Sequence, residues 1–330
     1  MDGGGDYGGL QHPVGGYADA GAGDASANYS ASQTSPSPYG ETGSPASILT
    51  PGLGNGVNLQ PSYYSGGNVD LGWALMRQKP KIQSVRIEIE AGQEGNAQRW
   101  IKEAASNAYT IVATFHSSAI LTRDQVRMDD PNELLKAAAW WTTNYPTLKA
   151  SGLFAINLMN EWGSHGITPH DFAATYNKAI ATVRSVYDGP IIVDIPGFGQ
   201  EAHTAARAIT DTTGETITDR KIILSTHIYP DGTNFAKQRE MTTADIDELA
   251  STGLDCMLGE FGDNGSGGQA KWDDLVKYAK SKGWPVFGWA WNGDGGGMNM
   301  IQPKPFQPFV AGKSYPYAVS GYFSKIYDLL

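Results

Sequence analysis

Two glutamates sit where an apolar run gives way to a turn. Glu161 follows "FAINLMN", and Glu260 lies in "CMLGEFGDNG", 99 positions further along the chain. A carboxyl group at the end of a buried strand is partly withdrawn from water, so its pKa can be moved and its geometry fixed. A pair of such groups, one protonated and one ionised, meets the needs of acid-assisted nucleophilic or base chemistry, and the cleavage of a glycosidic bond uses such a pair. Taken alone, a strand-end glutamate is more often a helix cap or a surface ion pair. The surrounding residues shift that balance, because Asn58, Arg86, His116, Asn160, Asp194, His227, Tyr229, Trp289 and Trp291 also fall at or near the ends of apolar runs. Arg and His donors beside one carboxyl hold it ionised, while burial and repulsion keep the other protonated.

Eight β-branched, apolar runs must position these groups. They start at Val57, Ser84, Thr110, Phe154, Ile191, Ile222, Met257 and Pro285, spaced 26 to 44 residues apart. Amphipathic segments such as "PNELLKAAAWWTTN", "HDFAATYNKAIATVRSVY" and "QAKWDDLVKYAKSKG" lie between them, and "SYPYAVSGYFSKIYDLL" reads as a closing helix. Strand and helix alternate eight times, and near-continuous apolar strands imply burial on both faces. The expectation is a (β/α)8 TIM barrel over residues 51–330. An open doubly wound sheet is the alternative, but no Gly-rich phosphate loop follows the first strand. Three βα units of about 33 residues separate Glu161 from Glu260, which sets them across the barrel mouth from each other.

Residues 1–50 form a Gly/Ser/Tyr-rich tail with no Lys or Arg, and its composition cannot bury enough apolar surface to offset backbone ordering. Tyr7, Tyr17, Tyr29 and Tyr39 recur along it like anchors, so the tail is expected to dock on a neighbouring subunit and make a homo-oligomer. A formal net charge of −10, with no clustered cations, argues against nucleic-acid or anionic-membrane partners. No run reaches the length of a membrane span, and the N-terminus lacks the pattern of a signal peptide. The one cysteine, Cys256, precedes an apolar run and reads as a small buried hydrophobe. A metal site built from His116, His227 and a glutamate has neither HxH nor HExxH spacing behind it, so no metal is expected.

With these residues in place, the sequence resembles glycoside hydrolase family 5, the barrel enzymes that include cellulases, lichenases and β-mannanases. The resemblance covers residues 51–330. It rests on "LMNEWGSHG", "LGEFGDNG", "SVRIEI", "ATFH", "THIYPDG" and "FGWAWNGDGG" together, since "NE" or "GEFG" alone is weak. It implies a retaining double displacement with Glu161 as acid/base, Glu260 as nucleophile, and Arg86, Tyr229 and His227 supporting them. Asn160 and His116 are expected to contact the sugar, and Trp289 to lie under it, followed by a cis peptide. Trp291, Trp162, Asn58, Tyr63 and Tyr64 are expected to line further subsites. No cofactor is implied. "GVNLQPSYYSGG" and "HIYPDG" look closest to bacterial β-glucanases of subfamily 26, so the expected substrate is a mixed-linkage or β-1,4-glucan, with β-1,4-mannan as the alternative. A polymeric substrate and the family together imply an extracellular or periplasmic protein. The rival from another class is a non-catalytic carbohydrate-binding barrel, which has no need of both glutamates.

Overall fold

A computed structural model describes residues 52–117 and 128–330. Expectations about the tail, its docking and the boundary at residue 50 lie outside the described residues.

Eight parallel strands close into a barrel: β1 (Gly56–Leu59), β2 (Ser84–Glu90), β3 (Thr110–His116), β4 (Ala155–Asn157), β5 (Ile191–Asp194), β6 (Ile222–Ile228), β7 (Asp255–Phe261) and β8 (Val286–Asn292), with β1 paired to both β2 and β8. A helix follows each strand: α1 (Trp73–Met76), α2 (Glu94–Ser106), α3 (Pro131–Leu148), α4 (Pro169–Val183), α5 (Ala202–Thr210), α6 (Thr243–Ala250), α7 (Trp272–Ser281) and α8 (Phe323–Tyr327). Local chemistry sets several helix starts. Asp130 caps α3 by accepting from the Asn132 amide at 2.9 Å, Thr168 caps α4 through the Asp171 amide at 3.0 Å, and a proline fills the first turn of each. Thr242 and Asp245 make a reciprocal capping box on α6.

The C-terminal segment departs from the expected long helix. Ala318–Val319 pairs as a short strand with Ile301–Gln302, and only Phe323–Tyr327 is helical. Pro316 and Gly321 interrupt the apolar period, since proline removes an amide donor and glycine weakens helix propagation.

Alternation along the strands divides the core in two. On β2, Val85, Ile87 and Ile89 belong to the large cluster between strands and helices, while Arg86, Glu88 and Glu90 take the other face. Inside the barrel the lower layer is apolar: Val112, Ala155, Ile192, Ile223, Met257 and Phe287 pack together, with Leu53 against them. Above it the register stacks Glu88 beside Thr114 and Asn157, then Glu90 beside His116.

On β7 the alternation breaks. Thr226 and His227 of β6 pair with Leu258 and Glu260, so Gly259 is an extra residue, a β-bulge. Strict alternation would put Glu260 on the outward face with Leu258; the bulge turns it into the barrel. A Cβ on Gly259 would lie 2.2 Å from Ser225 Oγ, so only glycine fits that place.

Candidate active site

Arg86 is fully buried and serves as the hub of the barrel mouth. Its Nε donates to Asn157 Oδ1 at 3.0 Å. Nη1 reaches Asn58 Oδ1 at 2.9 Å, Glu260 Oε1 at 2.9 Å and Glu88 Oε1 at 3.2 Å. Nη2 donates to Asn160 Oδ1 at 2.7 Å and to Asp194 Oδ2 at 3.2 Å. One guanidinium thereby ties five strand ends together. Because Arg86 only donates, the amide oxygen of Asn160 must face it. The Asn160 Nδ2 is then left for an incoming hydroxyl.

Glu260 is held from both sides. Besides Arg86, the Tyr229 hydroxyl donates to its Oε2 at 2.7 Å. Glu161 comes from the loop after β4, in the left-handed region at φ 50°, which is a strained conformation for a non-glycine residue. Its amide donates to Asp194 Oδ2 at 3.1 Å, and His227 Nδ1 lies 2.7 Å from its Oε1. Atoms of Glu161, His227 and Glu260 all fall within 4.8 Å of one another. That spacing would also fit a cation, but the Arg86 guanidinium 2.9 Å from Glu260 and the His227 imidazole between the two carboxyl groups already supply positive charge there.

The electrostatics follow from burial and these partners. Burial pushes the Glu260 carboxyl up to about 7; the charge of Glu161 adds to this, while His227 and Arg86 oppose it. Burial disfavours charge on His227, yet the carboxylates of Glu260 and Asp194 hold the imidazole up to about 10. Asp194 is also buried, but the cations of His227 and Arg86 hold its carboxyl down to about 2. Burial, reinforced by the charges of Glu260 and Glu161, pushes the Tyr229 hydroxyl well above its ordinary value, so it remains a donor.

A second group lies beside the carboxyl pair. His116 Nδ1 is 2.6 Å from the Tyr63 hydroxyl and 3.0 Å from Glu90 Oε1, and Tyr63 also donates to Glu90. Burial lowers the proton affinity of His116, but Glu88 and Glu90 raise it further. Trp289 clusters with Tyr229 and Ala290, its indole N–H donating to Asp294 at 3.1 Å, and a cis peptide joins Trp289 to Ala290.

Four expected subsite residues lie elsewhere. Trp162 is fully buried against Phe172 and Tyr176, with its indole N–H on Asp130 O. Trp291 is likewise buried and donates to Leu71 O. A ring with no exposed face cannot stack under a sugar. Asn58 is buried beneath the mouth, donating to Gly259 O at 3.0 Å while accepting from Arg86, so it braces the hub and the bulge. Tyr64 packs half-buried on the core with its hydroxyl on Gly293 O. Sequence reading missed Glu88, Glu90 and Asn157. For the two glutamates the signal was the period of two: counting forward by two and by four from Arg86 puts both on its face.

This is a barrel whose mouth carries two carboxyl groups, one braced by Arg and Tyr and the other by His. The profile of cellulase (glycosyl hydrolase family 5) matches residues 78–295, and the chain belongs to that family. A mannan endo-1,4-β-mannosidase of Streptomyces lividans is 25% identical over 228 residues, or 66% of this chain and 57% of that protein. A β-mannanase/endoglucanase A of Caldicellulosiruptor saccharolyticus is 25% identical over 224 residues, or 64% of this chain and 16% of that protein. The chain thus spans little more than half the length of the first relative and a small part of the second. Among solved structures, a β-mannanase from Thermomonospora fusca shares the fold with a TM-score of 0.62 and 19% identity, covering 83% of this chain and 88% of that one. The catalytic domain of an endoglucanase from Thermobifida fusca shares it with a TM-score of 0.61 and 13% identity, covering 83% and 90%.

Proposed function

We propose that the chain is a retaining glycoside hydrolase acting on β-1,4-linked polysaccharide. The observation that carries this is the separation of the carboxyl groups of Glu161 and Glu260, whose nearest oxygens lie within 4.8 Å. That is too close to leave room for the water an inverting enzyme places between its carboxyls, and it suits direct attack on the sugar.

In this reading the reaction needs the proton shared by the pair on Glu161, and Arg86 and Tyr229 stabilise the negative charge that this puts on Glu260. Glu260 attacks the anomeric carbon as the bond to the leaving oxygen breaks, and Glu161 gives that oxygen its proton. Water then attacks the same carbon, Glu161 takes the water's proton, and the ester to Glu260 breaks. The Asn160 amide donates to the hydroxyl next to the reacting carbon, His116 meets the same sugar, and Trp289 supports it from below. His227 aligns Glu161. These steps use side-chain chemistry throughout and call for no cofactor.

Mannan is the first substrate to try, since both curated relatives are named for cleaving mannan, and the second is named as an endoglucanase as well. The sequence-level preference for β-glucan of the subfamily 26 type thus becomes the second reading. A polymeric substrate is met outside the cytoplasm, which is where we propose the protein works. The test is to incubate the protein with galactomannan and, separately, with cereal mixed-linkage glucan, using Glu260→Ala as the control, and to follow the anomer first formed by NMR. Release of β-anomeric oligosaccharides that the control does not give supports the reading and selects the substrate. Initial α-anomers would overturn retention, and silence on both polymers would leave a binding barrel.

A further inference from the structure

Glu201, outside the carboxyl pair, is fully buried. Its Oε1 accepts from His165 Nδ1 at 2.7 Å and from the Phe235 amide at 2.8 Å, and its Oε2 accepts from the Ala236 amide at 3.2 Å. One carboxylate therefore pins three loops: the one after β4 that bears His165, the one after β5 that bears Glu201 itself, and the one after β6 that bears Phe235. The last loop is braced again at its base, where Asn234 donates to Asp245 at 2.8 Å and Asp245 pairs with Arg239.

These contacts hold an apolar ring in the open. Phe235 is 56% exposed, yet its ring centroid lies 4.2 Å from that of His165. An exposed phenylalanine on an unconstrained loop would need no explanation, but fixing one by its own amide and by one face has a cost in chain entropy with no return in burial. A rigid aromatic with one face to solvent is the form of a sugar-stacking platform, because ordering it beforehand removes that cost from binding.

Its place relates it to the reaction. His165 follows Glu161 by four residues, a reach of about 14 Å at most. The turn at Gly197–Gly199 fits between the two histidines: a Cβ on Gly197 would lie 2.5 Å from His165 Nδ1, and one on Gly199 would lie 2.6 Å from His227 Cβ. Phe235 and His165 thus lie on the side of Glu161, whereas Tyr63, Glu90 and His116 lie on the β1–β3 side. A general acid must stand next to the oxygen that leaves.

We infer that Phe235, packed against His165 and latched by Glu201, forms the platform for the departing portion of a β-1,4-linked chain, and for an acceptor sugar that replaces water in the second step. In that case the acceptor hydroxyl attacks the anomeric carbon, Glu161 takes its proton, and the ester to Glu260 breaks, leaving a longer saccharide. This inference rests on the hydrolase reading above.

The experiment compares two kinds of substrate in wild type, Phe235→Ala, Phe235→Tyr and Glu201→Gln. One kind is mannohexaose or cellohexaose, which places sugars on both sides of the cut. The other is the nitrophenyl β-glycoside of the matching disaccharide, which has no sugar on the departing side. Turnover of the nitrophenyl glycoside by wild type tests the hydrolase reading on its own, and its failure would overturn that reading rather than the platform. Phe235→Ala is expected to lower the ratio of hexaose to nitrophenyl-glycoside kcat/KM roughly tenfold and to reduce the longer products, with Phe235→Tyr restoring both. Glu201→Gln is expected to move the ratio in the same direction by a smaller factor. An unchanged ratio in Phe235→Ala, or a loss that Phe235→Tyr does not restore, would overturn the platform.

Discussion

The barrel interior holds two layers built on the same strands and only a rung apart. Val112, Ala155, Ile192, Ile223, Met257 and Phe287 fill the lower one, with no polar atom to satisfy beyond the backbone. In the upper one Arg86, Glu88, Asp194, His227 and Glu260 are all buried. The lower layer stabilises by removing apolar surface from water, roughly 1.5–3 kcal/mol for each large side chain. The upper layer brings like charges and desolvated groups together, and its net effect on stability is small or adverse even where the ion pairs are well formed. The contrast teaches that the apolar layer anchors strands whose upper ends would not choose to meet.

Glu260→Gln should break the contrast most sharply, by separating activity from stability. Loss of the attacking carboxylate is expected to lower kcat by roughly four or more orders of magnitude. The stability change runs the other way. Burial holds the folded Glu260 pKa at about 7, above that of an unfolded glutamate, so its contribution is complete at low pH and is lost as pH rises through about 7. At pH 8 the neutral amide escapes this penalty, and a melting temperature roughly 2–4 °C above wild type is expected. At pH 4 the difference should vanish. A variant that melts below wild type at pH 8 would show that the upper layer supports the fold as the lower one does.

Arg86→Met and Ile192→Ala set the layers side by side at comparable cost. Without its guanidinium, the carboxylates of Glu88, Asp194 and Glu260 are buried without a cation at 2.9–3.2 Å, a loss of about 3–5 kcal/mol. Ile192→Ala leaves a cavity and costs about 2–5 kcal/mol. Denaturant melts should therefore look alike, while turnover below the transition separates them: Arg86→Met is nearly inactive and Ile192→Ala retains wild-type kcat. A lower-layer variant that lost activity while folded would show that the layers are coupled.

The shared proton gives a subtler reading. Burial of Glu260 lets the pair keep its last proton up to about 7, and this is the proton Glu161 must donate, so kcat/KM should fall as pH rises through that value. Glu161→Gln, assayed on an aryl glycoside whose leaving group needs no proton, should lose this alkaline limb. Persistence of the limb would assign it to another group.

The eight runs made the barrel legible, because period and spacing carry the fold when strands are apolar on both faces. Residues ending a run were also legible: Arg86, His116, Glu161, His227, Tyr229 and Glu260 come together in one set of side-chain contacts. What escaped was the direction of side chains near irregular backbone. Trp162 follows Glu161 directly, yet the left-handed turn at Glu161 sends the indole into the core. Glu260 reaches the interior only through the Gly259 bulge, and a plain alternation would have pointed it outward. Glu201 carries no motif at all, since its partners are a histidine and two backbone amides contributed by distant loops. Such groups are defined by loop geometry, on which hydrophobic pattern is silent.

Tyr229→Phe makes the smallest change that still addresses the difference between the layers. It removes one hydroxyl and leaves ring, volume and burial in place, so in the lower layer it would count for almost nothing. At the mouth that hydroxyl donates to Glu260 Oε2 at 2.7 Å and favours the ionised form. Without it the carboxylate is less stabilised, and the lower of the pair's two apparent pKa values, at which the attacking anion first forms, should move up rather than down. The acid limb of kcat/KM should then shift to higher pH, with kcat at the optimum reduced by roughly ten- to a hundredfold. A melting temperature within about 2 °C of wild type should accompany this. If the pH profile stays fixed while kcat falls, the hydroxyl serves the sugar rather than the carboxylate, and His227 and Arg86 would hold the charge on Glu260.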